Sequence, residues 1–137
     1  MKKSRRKARE LALQGLYQWR VSGNAPEMIL PQLAEIAEYA TADDEYLREV
    51  LEGAIAHRDE LEQALAPRLD RKLAELSPVE HSVLLLAAYE LTHKADIPYR
   101  VVINEAVELA KRYGGTDGHK YVNGVLDKLA AGLARTD

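Results

Sequence analysis

Apolar residues recur at steps of three and four along most of the chain, a spacing typical of amphipathic helices. The first stripe predicts a helix from about Ser4 to Val21, with the Ser4 hydroxyl capping its first turn. The residues of this stripe are Ala8, Leu11, Ala12, Gly15, Leu16 and Trp19. Pro26 and Pro31 interrupt the next stretch, which therefore predicts only a short helix at about 27–39.

The middle of the chain predicts two further helices. Thr41, with Asp44 three residues later, forms a capping-box pattern ahead of the first of them. The apolar face of this helix is formed by Leu47, Val50, Leu51, Ala54 and Ile55. The second is predicted to begin near Asp59, and Pro67 is expected to break or kink it. Leucines at steps of four mark its inner face at Leu61, Leu65, Leu69 and Leu73.

The clearest helix start lies near the middle of the chain. Ser77 is placed to cap it, Pro78 suits the first helical position, and Glu80 completes a capping box. The helix that follows, from 78 to about 93, is apolar almost all round. Such a helix is expected at the centre of the core.

Two helices are predicted in the C-terminal part. The first spans about 100–112 and is expected to end in a left-handed C-cap at Gly114–Gly115. The second begins near Thr116 or Asp117 and extends to about Leu133.

Composition supports an all-α fold in a single domain of 137 residues. Leucine and alanine contribute 20 residues each, whereas valine, isoleucine and threonine together total 18 and phenylalanine is absent. Helices favour the first pair, while strands favour β-branched and aromatic residues. The chain has no apolar run long enough to span a membrane and no signal peptide, so we expect a cytoplasmic protein.

The sequence offers little catalytic chemistry, so we expect neither an enzyme nor a cofactor. There is no cysteine, which excludes disulfides and thiolate metal sites, and no serine lies in a nucleophile elbow. The histidines lack a ligand spacing, so no metal site is expected; they are His57, His81, His93 and His119. Glu105 and Glu108, next to Lys111, are interpreted as a solvated surface pair.

Charge is unevenly distributed and changes the functional picture. Residues 1–9 carry six cations and no acid, whereas residues 27–62 carry eleven acids and two cations, within a net charge of −3. The basic end should attract polyanions, and the acidic middle should repel them. Two interpretations of the basic end remain open, a solubilising tail and a nucleic-acid contact, and an exposed Tyr17 would favour the second by base stacking.

The segment between the last two helices is a weaker candidate for phosphate binding. It fails as a phosphate-binding loop because the glycine spacing is wrong and no hydroxyl follows Lys120. A helix N-terminus can nevertheless hold a phosphate, and His119 and Lys120 would add donors beside Tyr121. Asp117 would repel a phosphate, so any role for it would be base recognition or restraint.

Four segments of the chain resemble the NusB family of bacterial transcription antitermination factors. They are RRKARELALQGLYQW from Arg5, LSPVEHSVLLLAAYEL from Leu76, IPYRVVINEAVELAKRY from Ile97 and HKYVNGVLDK from His119. The resemblance covers essentially the whole chain and is weakest in the acidic middle.

The resemblance implies a compact bundle of about seven helices in two halves, about 1–76 and about 77–137. It implies binding, together with the ribosomal small-subunit protein NusE, to single-stranded RNA of the boxA element in ribosomal RNA leader transcripts. NusA, NusG and RNA polymerase would complete the assembly, which suppresses premature termination. The free protein could be a monomer or a homodimer. The acidic middle is the expected surface for a basic ribosomal partner.

Carried over by position, the resemblance predicts an RNA-binding surface with basic, aromatic and acidic members. They are Lys2, Lys3, Arg5, Arg6, Lys7, Arg9, Tyr17, Glu80, Asp117, His119, Lys120 and Tyr121. Glu80 has a competing role in the Ser77 cap, and both tyrosines could instead be core residues. Ribosomal RNA cytosine methyltransferases carry a similar module, so a stand-alone protein-interaction module without catalysis is the alternative.

Overall fold

The computed structural model describes residues 3–135, and within that range it contains seven α-helices and no β-strand. The helices are α1 (Arg5–Ser22), α2 (Pro26–Leu33), α3 (Asp44–Ala56), α4 (Arg58–Leu65), α5 (Pro78–His93), α6 (Tyr99–Tyr113) and α7 (Gly118–Gly132). Short 3-10 turns lie at Ala37–Thr41, Ala66–Arg68 and Leu73–Glu75. The predicted all-α fold and helix number are confirmed.

Helix α5 lies at the centre of the molecule, as its uniformly apolar surface predicts. Every residue from 81 to 91 is buried, and α5 contacts α1, α3, α4, α6 and α7. Helix α1 packs against α2, α3 and α5, and α6 pairs with α7. One cluster of buried apolar side chains is therefore shared by helices from both parts of the chain.

The N-caps explain where three of these helices begin. Ser4 Oγ accepts from the Lys7 amide at 3.1 Å, and Ser77 Oγ accepts from the Glu80 amide at 3.1 Å, as predicted. The predicted cap at Thr41 is wrong: Asp43 Oδ1 accepts from the Tyr46 amide at the start of α3. Thr41 Oγ1 instead accepts from Lys7 Nζ at 2.6 Å, which ties α1 to the segment before α3.

The break predicted at Pro67 is confirmed, because α4 ends at Leu65 and the proline lies in a 3-10 turn. The predicted left-handed C-cap at Gly114 is wrong, since its φ of −95° and ψ of −174° are extended. Glycine is needed there for a close approach, because an added Cβ would lie 2.7 Å from the Ala110 carbonyl oxygen.

Candidate RNA interface

The described cations of the basic cluster lie just before α1 and in its first two turns, and they have separate partners. Arg6 is exposed and forms a bidentate pair with Glu105 of α6, at 3.2 and 2.8 Å. The Arg5 guanidinium lies 4.2 Å above the centre of the Tyr46 ring, and Lys3 Nζ lies 3.9 Å from Asp44. The predicted contact residue Lys2 lies outside the described residues. This end of α1 therefore presents cations that already have surface partners.

Arg9 does not belong to this surface, and its assignment to RNA phosphates is corrected. The side chain is buried, with 5% of the residue exposed, and its Nε donates to both Glu90 oxygens at 3.1 and 2.9 Å. Arg9 Nη1 also lies 3.6 Å from Glu105, so Glu105 joins an ion-pair network rather than the predicted solvated pair. Acidic partners on α5 and α6 thus explain cations at a helix N-terminus, where the macrodipole opposes them.

Tyr17 lies in an open groove of about 540 Å³ on the face formed by α1, α2 and the end of α6. Its ring is 42% exposed, and Tyr113, 37% exposed, lines the same groove. The interpretation of Tyr17 as a core residue is therefore wrong. The rest of the lining consists of Gln14, Gln18 and Gln32, with the apolar side chains of Leu13, Leu33, Ile36 and Val79. Amide groups beside exposed rings can pair with base edges while the rings stack on base faces.

The first turn of α7 brings together the other predicted residues. Lys120 Nζ lies 3.5 Å from Asp117 Oδ1, and both side chains are largely exposed. Glu80, at the start of α5, lies against this turn: a Cβ added to Gly118 would approach its Oε2 to 3.0 Å. Val79, the residue before Glu80, lines the groove that contains Tyr17 and Tyr113, here called the tyrosine groove. The start of α5 therefore adjoins both this groove and the first turn of α7. His119 is half-buried in the same turn.

Tyr121 occupies a more enclosed position than Tyr17. It is half-buried, packs against the core, and has the Arg71 guanidinium 4.2 Å above its ring centre. Burial raises the pKa of its hydroxyl, although nearby Asp70 and Arg71 act on it as well. Arg71 in turn bonds Asp70 at 2.7 Å. A base could stack on Tyr121 only after Arg71 moves, so its structural role is better supported than stacking.

Sequence reasoning missed the C-terminal end of α6. A cleft of about 620 Å³ between α1 and α6 has charged side chains of both signs in its lining: Arg6, Lys111, Arg112, Glu10, Glu105 and Glu108. Arg112 Nη1 lies 3.1 Å from Glu10. The next residue, Tyr113, reaches the tyrosine groove. Lys111 and Arg112 are followed by Tyr113 at the end of the predicted helix, and cations beside an aromatic residue are also the pattern that indicates nucleic-acid contact in α1.

Comparison with known proteins identifies the family. A model of the NusB family matches residues 6–131 of the chain. The chain belongs to the NusB family. A transcription antitermination protein NusB of Paraburkholderia phymatum is 59% identical over 133 residues, covering 97% of this chain and 92% of the relative. The corresponding protein of Nitrosomonas eutropha is 57% identical over 132 residues, covering 96% and 79%.

Solved structures of NusB proteins share this fold. A T. maritima NusB structure superposes with a TM-score of 0.87 at 34% identity, covering 96% of this chain and 93% of that one. A NusB chain crystallised with NusE and double-stranded RNA superposes with a TM-score of 0.84 at 27% identity, covering 93% and 96%. Transcription antitermination, the activity named for the curated relatives, is thus the function of this family member. None of the helices within residues 3–135 is long and apolar enough to cross a membrane.

Proposed function

We propose that this NusB-family protein binds single-stranded boxA-type RNA across the groove that contains Tyr17 and Tyr113. The observation that carries the proposal is the pairing of two exposed rings with three glutamine amides, in a groove flanked by cations of α1 and α6. Exposed rings stack on unpaired bases, amides bond base edges, and cations neutralise phosphates.

The acidic members of the predicted surface have a separate role in this proposal. Glu80 and Asp117 carboxylates accept hydrogen bonds and would repel phosphates, so they suit the exocyclic amino groups of cytosine or adenine. Asp117 directly precedes Gly118, whose lack of a side chain leaves room for the Glu80 carboxylate beside the helix. Lys120, beside Asp117, would hold the adjoining phosphate. Base recognition and phosphate contact would thus alternate along the strand.

NusE is the proposed protein partner, and the acidic face between α2 and α3 is its proposed contact surface. A cleft of about 580 Å³ there is lined by Glu27, Asp44, Glu45, Glu49 and Glu52. Charge complementarity to a basic ribosomal protein would speed association and select the partner. A similar NusB chain crystallised with NusE and RNA supports this pairing. NusA, NusG and RNA polymerase would complete the assembly in the cytoplasm, without catalysis by this chain.

A binding experiment separates RNA recognition from the interaction-module alternative. Fluorescence anisotropy with a labelled boxA-type RNA, a scrambled RNA and a duplex, each with and without NusE, should rank the single-stranded boxA RNA first. Binding should weaken as salt rises, because released counterions drive it. Equal affinity for boxA-type and scrambled RNA in the presence of NusE, or no RNA binding at all, would favour a module that binds protein alone.

A further inference from the structure

His57, Glu60 and His93 bring potential metal-ligand atoms together, and none of the three belongs to the proposed RNA surface. The donor atoms, one from each side chain, all lie within 4.8 Å of one another. His93 Nε2 lies 2.9 Å from Glu60 Oε1, and His57 Nδ1 lies 3.4 Å from Glu60 Oε2. The two histidines are 36 positions apart in the sequence, so no local ligand spacing indicates this cluster. We propose that the three side chains bind a divalent transition-metal ion of the zinc class.

The separation of the donor atoms fits a small tetrahedral site. With zinc bonds of about 2.1 Å, two ligand atoms in a tetrahedron lie about 3.4 Å apart. His57 Nδ1 lies at this separation, 3.4 Å, from one oxygen of Glu60, and His93 Nε2 lies 2.9 Å from the other, so a small rotation of the carboxylate would adjust the shorter distance. Two imidazoles and one carboxylate form a recognised ligand set for zinc, with the fourth position left open. All three side chains are partly exposed, so water has access to that position.

The imidazole rings are held in place by the fold. His57 lies between the end of α3 and the start of α4, and its ring centre is 4.3 Å from that of His93. His93, in the last turn of α5, stacks on Tyr89 at 5.0 Å. Tyr89 is buried against Gly53, where an added Cβ would come within 2.4 Å of its ring. A ligand ring fixed by packing loses little freedom when it binds a metal.

Neighbouring cations do not oppose a metal ion here, because carboxylates outside the cluster already neutralise them. Lys94, next to His93, forms a 2.5 Å ion pair with Glu49. Arg58, next to His57, lies 3.5 Å from Glu62 and 3.7 Å from Asp59. A bound ion would link the start of α4 to the end of α5, and so should stabilise the folded protein.

Isothermal titration with zinc chloride tests the proposal on the full chain. We expect saturable 1:1 binding, a higher Tm, and weaker binding on acidification because imidazole ligates metals only when neutral. Magnesium should not compete, since it prefers oxygen ligands. H57A, H93Q and E60Q should each weaken zinc binding at least as much as loss of an outer-shell partner, about 10–100-fold.

His119→Ala is the matched control, because it removes a histidine outside the cluster and should leave zinc affinity unchanged. E60Q and H93Q preserve side-chain size, so they test the ligands even if H57A disturbs the α3–α4 junction. The absence of saturable binding to the unaltered chain would overturn the proposal. Equal affinity in the unaltered chain and in both H93Q and E60Q would overturn it as well.

Discussion

Arg9 and Glu90 form a buried ion pair between α1 and α5. Arg9 Nη2 lies 2.9 Å from Glu90 Oε2, and both side chains are almost completely inaccessible to solvent. The Tyr46 hydroxyl, from α3, also donates to Glu90. Although burial disfavours the charged guanidinium, the hydrogen bond and charge of Glu90 leave the pKa of Arg9 raised. The pair with its tyrosine therefore joins three helices, and the charged groups of Arg9 and Glu90 satisfy each other inside the core.

Removing one charge of this pair should destabilise the fold strongly. Glu90→Gln keeps the shape of the side chain but removes the charge bonded to Arg9, so the buried cation retains only the more distant Glu105 carboxylate, 3.6 Å from Arg9 Nη1. We expect a loss of about 3–5 kcal/mol in the free energy of unfolding, measured by urea denaturation. Glu108→Gln, on the exposed surface of α6, is the control and should change stability by less than about 0.5 kcal/mol. A Glu90→Gln protein as stable as the control would contradict the structural role given to the pair.

His81 predicts a specific dependence of stability on pH. Its Nδ1 accepts from Arg20 Nε at 2.7 Å, and its Nε2 donates to Glu62 at 2.7 Å, which describes a neutral ring. Burial lowers the pKa of His81 below its ordinary value of 6.5, while Glu62 acts in the opposite direction and Arg20 and Arg58 assist the lowering. The unfolded chain therefore takes up this proton more readily, and stability is lost as pH falls below about 6.5.

Urea denaturation at about pH 7.5 and 5.5 checks this sign. The unaltered protein should lose more stability on acidification than His81→Gln, which cannot take up the proton. His119→Gln serves as the control and should follow the unaltered protein. If His81→Gln lost as much stability on acidification as the unaltered protein, the proton linkage at His81 would be refuted.

The cations of α1 should act on RNA through phosphates rather than bases. If Arg5, Arg6 and Lys7 each neutralise one phosphate, these three cations should contribute about −2 to the slope of log affinity against log salt. Arg6→Ala with Lys7→Ala should weaken all single-stranded RNAs alike and flatten the slope by about 1.4. Arg48→Ala with Lys128→Ala removes two exposed cations elsewhere and should leave the slope unchanged. Loss of boxA preference at an unchanged slope would show that these cations read bases.

The sequence predicted the helices well because their signals are local. Stripes of apolar residues and the caps at Ser4 and Ser77 depend only on neighbours within two turns. Local signals could not distinguish the roles of Arg6 and Arg9, because both are arginines and they lie three residues apart in the same helix. The difference arises because Arg9 faces Glu90, 81 residues away, whereas Arg6 faces solvent beside Glu105.

The exposure of the aromatic residues likewise depends on contacts between segments that are distant in the sequence. Tyr17 and Tyr121 both lie one helical turn from apolar residues, so periodicity left their exposure open. The packing of α2 and α6 leaves Tyr17 uncovered, while the segment containing Arg71 covers Tyr121. The sequence did not indicate a role for Tyr113, because most of its groove is formed by α1 and α2, which are far from Tyr113 in the sequence.

Tyr121→Ala should act mainly on stability, because the ring packs against the core. We expect a loss of about 0.5–3 kcal/mol in the free energy of unfolding, whereas Tyr17→Ala should change it by less than about 0.5 kcal/mol. Thermal and urea denaturation of the two variants provide the comparison, and Tyr121→Phe tests whether the ring alone is sufficient. A larger loss of stability in Tyr17→Ala than in Tyr121→Ala would reverse these assignments.

The affinity of Tyr17→Ala and Tyr113→Ala for boxA-type RNA, measured by anisotropy with NusE present, tests the central claim most directly. Each variant should lose about 1–3 kcal/mol of binding free energy with an unchanged Tm, because each removes a stacking ring from an open groove. Tyr17→Phe should bind RNA normally, since it keeps the ring. If both alanine variants bound boxA-type RNA as tightly as the unaltered protein, the groove would not be the RNA site.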